Sequence, residues 1–263
     1  MIPLATDQMM TAIDGAIGWV TFNNPARRNA VSMAMWQAIP EIFDRLEADA
    51  SVRVIVLRGA GDKAFVSGLD ISQFEDAFSS SQSAQRLEEM SARANARIRD
   101  AVKPTVAMIN GFCIGAGVQI AANCDLRIAG DTATLAITAA KLGLGYPVES
   151  LKRLLDLVGP AAAREIFFTG RQFSAAEAER IGLVNRAVPA AELEMVVRET
   201  CATISANAPL TVRAVKQVLD LLLDPDCDRA RCEALMDACF DSEDYAEGRR
   251  AFMEKRKPEF KGR

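Results

Sequence analysis

Two glycine-bearing turns and one glutamine carry most of the chemistry legible in this chain. The first turn, Gly111-Phe-Cys-Ile-Gly-Ala-Gly117, follows an apolar strand and opens a helix of small residues. Backbone N–H groups at such a turn point outward and suit a developing negative charge. The second, Ala64-Phe-Val-Ser-Gly-Leu-Asp-Ile71, ends a strand in Ser67-Gly68 and is predicted to begin a helix near Asp70. Placed side by side, the turns would each offer one N–H to a single oxygen. A carbonyl held that way binds better as it becomes an enolate, and each donor is worth ~10²–10³ in rate. Either turn alone has a plainer meaning, because glycine before a helix also marks close packing. Gln119 stands just beyond the first turn. Its neutral amide can hold a water but cannot take up a proton, and it would serve equally well as a cap for polar backbone.

The rest of the composition narrows the chemistry. Among 263 residues there is no histidine, which removes imidazole as base, nucleophile or metal ligand. Acid–base work falls to carboxylates, Tyr, Lys, Cys or water, and no metal site is expected. The six cysteines (113, 124, 201, 227, 232, 239) form no C-x-x-C pair and read as reduced, buried thiols of a cytoplasmic protein. Cys113, beside the glycine turn, is the one candidate for a reactive thiol. A net charge of −4 and a pI near 5.2 argue against nucleic acid as a partner. No apolar run reaches the ~18 residues of a membrane span. The opening MIPLATDQMMTAIDGAIGWV, with Asp7 and Asp14, does not read as a signal peptide.

The elements that must position these turns are strands first and helices later. Gln8–Asp14 and Ile17–Asn23 flank Gly15 like a hairpin. Ser32 is a candidate N-cap for a helix to about Ala48, with Pro40 expected to kink it. Val52–Gly59 reads as a buried strand, 71–77 as a further element, 78–83 as a loop, and 84–102 as a helix. Strand Thr105–Ile109, the glycine turn, helix Gly117–Asn123 and strand Leu126–Ala129 follow, which indicates a parallel or mixed α/β sheet. From about Pro147 the chain reads as nearly all helical, in segments near 148–158, 160–169, 174–181, 189–207, 209–223, 228–240 and 242–256.

The order and spacing of five segments resemble the crotonase, or enoyl-CoA hydratase/isomerase, superfamily. Asn24-Pro-Ala-Arg-Arg-Asn-Ala30 is similar to its N-x-P…N-A-L segment, and Phe65–Ile71 to F-x-x-G-x-D-[IL]. Lys103–Ala129 resembles K-P-x-I-A-x-[IV]-x-G-x-x-x-G-G-G…C-D-x-x-x-A. Thr169-Gly170 with Ala175–Asn185 resembles T-G…A-x-E-A-x-x-x-G-L-V-[ND], and Asp241–Pro258 resembles the closing segment. The resemblance implies a crotonase-like (ClpP/crotonase) α/β fold of repeated ββα units. It implies a core over 1–200, a helical trimerisation region over 201–263, and a homotrimer or a hexamer built of two trimers. It also implies an acyl-CoA substrate, with coenzyme A entering as part of the thioester and no permanently bound cofactor. Carried over by position, the oxyanion N–H groups belong to Leu69 and Ala116. Ala26, Arg28, Leu69, Asp70 and Ile71 match positions along the CoA path. Phe252 and Lys255 match tail positions that meet CoA's nucleotide end, often from a neighbouring subunit. The basic tail suits CoA phosphates, although a solvated tail is the commoner meaning of such a run.

The chain departs from the family's hydratases at the acids. Their two glutamate positions fall on Gln119 and Ala139. Gly143-Leu-Gly-Tyr-Pro-Val-Glu-Ser150 instead resembles the family's methylmalonyl-CoA decarboxylases, with Tyr146 at their active-site tyrosine, whereas their histidine position holds Leu69. Glu149 is a carboxylate that could replace a missing acid, or simply a favourable charge at a helix start. Three activities stay open: a hydratase-like acyl-CoA lyase, a malonyl- or methylmalonyl-CoA-type decarboxylase, and an acyl-CoA-binding protein without turnover.

Overall fold

The computed structural model describes residues 5–70 and 81–263. Ile71, the expected element 71–77 and part of the expected loop 78–83 lie outside the described residues. Strand β1 (Met9–Asp14) turns at Gly15 into β2 (Ile17–Phe22), and the two pair antiparallel. Parallel partners then extend the sheet: β3 (Val54–Gly59), β5 (Thr105–Ile109), β7 (Leu126–Gly130) and β10 (Arg186–Val188). A smaller sheet holds β4 (Ala64–Val66), β6 (Phe112–Ile114), β8 (Thr134–Ala136) and β9 (Phe173–Ser174), in that order. The pattern repeats. β3, β5 and β7 each lie in the large sheet, and the strand that follows each lies in the small one.

Helix α1 (Met33–Ala48) is capped by Ser32, whose side chain accepts from the Met35 N–H. The expected kink at Pro40 does not break it, and the helix runs on to Ala48. Met35, Trp36, Ile39, Ile42, Phe43 and Leu46 are buried along one face, and that packing outweighs the single backbone bond Pro40 cannot make. Helix α2 (Ser81–Arg99) lies against α1, and α3 (Ala116–Ala122) opens from the glycine turn. The segments expected at 148–158 and 160–169 are two helical runs, together labelled α4 (Val148–Thr169), that meet at Gly159, where φ 71° and ψ 172° are non-helical.

Short strands are what sequence periodicity failed to register. The turn at 111–117 contains β6, and the region after Pro147 contains β9 and β10, so it is not wholly helical. Two or three residues are too few to show alternation. The remaining helices are α5 (Ala175–Arg180), α6 (Leu193–Ser205), α7 (Pro209–Leu222), α8 (Arg229–Phe240) and α9 (Glu243–Glu254). α6 covers a second apolar cluster, around Trp19, Val54, Val56 and Val106. Half-buried Lys216 on α7 donates to Asp125 at 2.8 Å, and Asp125 also accepts from the Thr105 N–H, which ties α7 to the start of β5. No helix among the described residues is long and apolar enough to cross a membrane.

Candidate active site

The two glycine turns adjoin each other. β4 and β6 are parallel neighbours, with Ala64 opposite Phe112 and Val66 opposite Cys113. A glycine with positive φ follows each strand, 116° at Gly68 and 53° at Gly115. A Cβ added to Gly115 would lie 4.0 Å from Gly68 Cα, so the turns face each other across a gap of about one methyl group. Gly117 permits the approach, since a Cβ there would fall 2.2 Å from the Val66 carbonyl oxygen.

This packing leaves two donors unspent. Val31 N–H donates to Gly68 O at 2.8 Å, and Asp70 N–H donates to Val31 O at 3.0 Å. In a parallel bridge the residue between those groups directs its own N–H to the other side, and among the described residues the Leu69 N–H meets no acceptor. Ala116 is the first residue of α3, where an N–H has no intrahelical acceptor.

Gln119 and Tyr146 flank the first turn. Gln119 Nε2 donates to Ser150 Oγ at 2.6 Å, and its backbone carbonyl accepts from Asn123 Nδ2, which also reaches Asn95 Oδ1. The Tyr146 hydroxyl points at Gly115 O across a long 3.5 Å, and its ring meets Phe167 edge-on at 5.1 Å. Burial pushes the Tyr146 hydroxyl above the usual tyrosine range, so it stays a neutral donor. Ala139 packs against the main core in a short 3-10 turn, Ala139–Leu142.

The carboxylates closest in sequence to these groups are committed elsewhere. Asp70, 6% exposed, pairs with Arg27 at 3.3 Å. Glu149 lines a separate charged groove with Arg99, Arg153 and Asp220. Cys113 is fully buried, and desolvation pushes its thiol far up, which removes it as a reactive nucleophile. Among the described residues no group of three Cys, Asp or Glu side chains is placed to hold a metal ion.

The residues matched to the CoA path divide into two groups. Ala26 and Arg28 are exposed on a short 3-10 turn, Pro25–Arg27, beside the second glycine turn. Ser67 N–H donates to Arg28 O at 3.2 Å, and the Arg28 guanidinium lies 4.8 Å over the Phe112 ring. Ala26, Arg28, Leu69 and Asp70 therefore share one edge of the site. Phe252, 82% exposed, and Lys255 stand at the end of α9, and no hydrogen bond or ion pair among the described residues joins them to that edge. The chain beyond them folds back elsewhere, with Phe260 O accepting from Arg53 and the Lys261 and Gly262 N–H groups donating to Asp244. Ser150, Asn123 and Asn95 were not picked out from the sequence. The one available signal for Ser150 was its position four residues after Tyr146 at a helix start.

Comparisons with known proteins cover nearly the whole chain. The family model described as enoyl-CoA hydratase/isomerase matches residues 12–263. A short-chain-enoyl-CoA hydratase of Clostridium acetobutylicum is 34% identical over 254 residues, covering 95% of this chain and 96% of that one. A crotonyl-CoA hydratase of Syntrophomonas wolfei is 35% identical, covering 90% and 92%. Among solved structures, an enoyl-CoA hydratase/isomerase family protein from Hyphomonas neptunium superposes with a TM-score of 0.94 at 36% identity, over 97% of this chain and 98% of that one.

Proposed function

The chain belongs to the enoyl-CoA hydratase/isomerase family, and from that premise we propose that it stabilises the enolate of an acyl-CoA thioester between the Leu69 and Ala116 N–H groups. The observation that carries this reading is that the Gly68 and Gly115 turns lie side by side, each followed by an N–H with no acceptor among the described residues. The thioester oxygen would sit between those two donors, and coenzyme A would leave along Ala26, Arg28 and Asp70. Coenzyme A comes with the substrate, and no resident cofactor enters the scheme.

The reaction favoured by the relatives' names is addition of water to a 2-enoyl-CoA. Water oxygen would bond to C3 as the C2–C3 π electrons move into the enolate, and the proton that the water sheds would pass to C2, so that H and OH add across the double bond. Gln119 can hold that water, and the neutral Tyr146 hydroxyl can donate beside Gly115. Neither is a base at neutral pH, and a general base is worth ~10²–10⁴. Hydration would therefore be slow relative to an enzyme that carries both acids. Decarboxylation of a malonyl- or methylmalonyl-CoA is the second reading, favoured by the buried neutral Tyr146 hydroxyl, because the breaking C–C bond itself supplies the electrons.

A second copy of the chain completes the scheme by bringing Phe252 and Lys255 to CoA's nucleotide end. A single-chain mass in equilibrium sedimentation would remove that part. The function is tested by an assay panel on the purified protein. Crotonyl-CoA is followed by loss of its conjugated absorbance, and malonyl- and methylmalonyl-CoA by release of CO₂. Slow hydration that falls further in Gln119→Ala supports the first reading, and CO₂ release that falls in Tyr146→Phe supports the second. CoA-ester binding without turnover of any of the three would overturn both.

A further inference from the structure

Helix α8 begins with two cysteines placed to touch. Its cap is Asp228, whose carboxylate accepts from the Arg231 N–H at 3.0 Å. Cys227 is therefore the residue before the cap, and Cys232 the fourth residue of the helix. Side chains at those two positions meet across the cap, where apolar residues commonly form a staple. Here the staple is two thiols, with Cys227 Sγ 3.4 Å from Cys232 Sγ. Backbone bonds hold both ends, since Cys227 N–H donates to Asp224 O and Cys232 N–H to Asp228 O, each at 3.1 Å. Cys232 is buried and Cys227 half-buried, so a solute reaches the pair through Cys227. The other four cysteines are placed differently. Cys113, Cys124 and Cys201 are fully buried, and Cys239 Sγ donates to Leu235 O.

Independently of the acyl-CoA reading, we propose that Cys227 and Cys232 are a modification site, at which a peroxide closes a disulfide that pins the first turn of α8. The Cys227 thiolate attacks one peroxide oxygen, the O–O bond breaks, and a sulfenic acid and hydroxide form. The Cys232 thiolate then attacks Cys227 Sγ and expels a second hydroxide. The two protons shed by the thiols turn both hydroxides into water. The sulfurs lose two electrons and the peroxide gains them, and a dithiol reductant reverses the bond. Contact with Cys232 Sγ holds the Cys227 thiol above the ordinary cysteine range. Little thiolate forms at neutral pH as a result, and the closure runs fastest in alkaline buffer.

The test is peptide mapping of the full-length protein after equimolar hydrogen peroxide in mildly alkaline buffer. Arg229 and Arg231 lie between the two cysteines, so trypsin separates Cys227 from Cys232 unless a disulfide joins their peptides. Wild type should lose the mass of two hydrogens and yield the joined peptides, which dithiothreitol splits. Cys239 shares the tryptic peptide of Cys232, so the join should survive in Cys239→Ala and vanish in Cys232→Ala. If Cys232→Ala does not fold, fragmentation of the wild-type peptides places the bond. Hydrogen exchange gives the second readout, since the closed pair should slow the α8 amides from Cys232 onward by about tenfold. Thiols of a pure packing staple would stay unjoined. Separate peptides after oxidation, a sulfinic acid at Cys227 without closure, a link between two chains, or unchanged exchange in α8 would each overturn the proposal.

Discussion

At the scale of single residues, the proposed function turns on two side chains, at the positions where the hydratases that the chain resembles carry glutamates. Gln119 lies in α3 and Ala139 opens the 3-10 turn Ala139–Leu142, and neither can carry a proton at neutral pH. Restoring both acids in Gln119→Glu/Ala139→Glu should raise the crotonyl-CoA hydration rate by ~10² or more, the worth of general acid–base catalysis. An unchanged kcat in stopped-flow or steady-state assays would mean that something other than the acids limits the rate. The sequence exposed this substitution because an acid replaced by an amide is visible without coordinates. It did not expose Ser150, since a buried serine at a helix start is ordinary until its hydroxyl is found 2.6 Å from Gln119 Nε2. Nor did it show that Glu149 faces a different groove, because direction on a helix depends on where the helix docks.

At the scale of elements, the site depends on how closely α3 lies on β4. The Gly117–Val66 approach leaves no room for a methyl group, since a Cβ would meet a backbone oxygen at 2.2 Å. Gly117→Ala should push the two turns apart and reduce activity by ~10² or more, the worth of at least one misplaced oxyanion donor. Its cost in a urea melt should be 1–3 kcal/mol, roughly that of overpacking. A variant with normal kcat would show that the turns need not lie this close. Helices and long strands were legible from their caps and apolar faces, as with Ser32 and the buried stripe of α1. The small sheet was not. Its strands β4, β6, β8 and β9 are three residues or fewer, and only the parallel pairing of β4 with β6 aligns the two turns.

At the scale of the whole molecule, the absence of histidine shifts pH dependence away from neutrality. Burial raises the Cys124 and Cys201 thiols from 9.0 to about 12. The folded state then keeps protons that the unfolded chain releases, so their contribution to stability is whole below about pH 9 and lost as pH rises toward 12. Melting temperature should therefore fall steeply above pH 9, and less steeply in Cys124→Ala. An equally steep fall in that variant would remove the thiols as the cause.

The central claim is the two-donor hole, and acetoacetyl-CoA tests it most directly, because its enolate absorbs in the near ultraviolet. Ala116→Pro deletes one of the two N–H groups at the first helical position, where proline is tolerated. Wild type should develop the enolate band on mixing, and Ala116→Pro should lose it while binding free coenzyme A within about threefold of wild type. No band in wild type, or the same band in Ala116→Pro, would contradict the account.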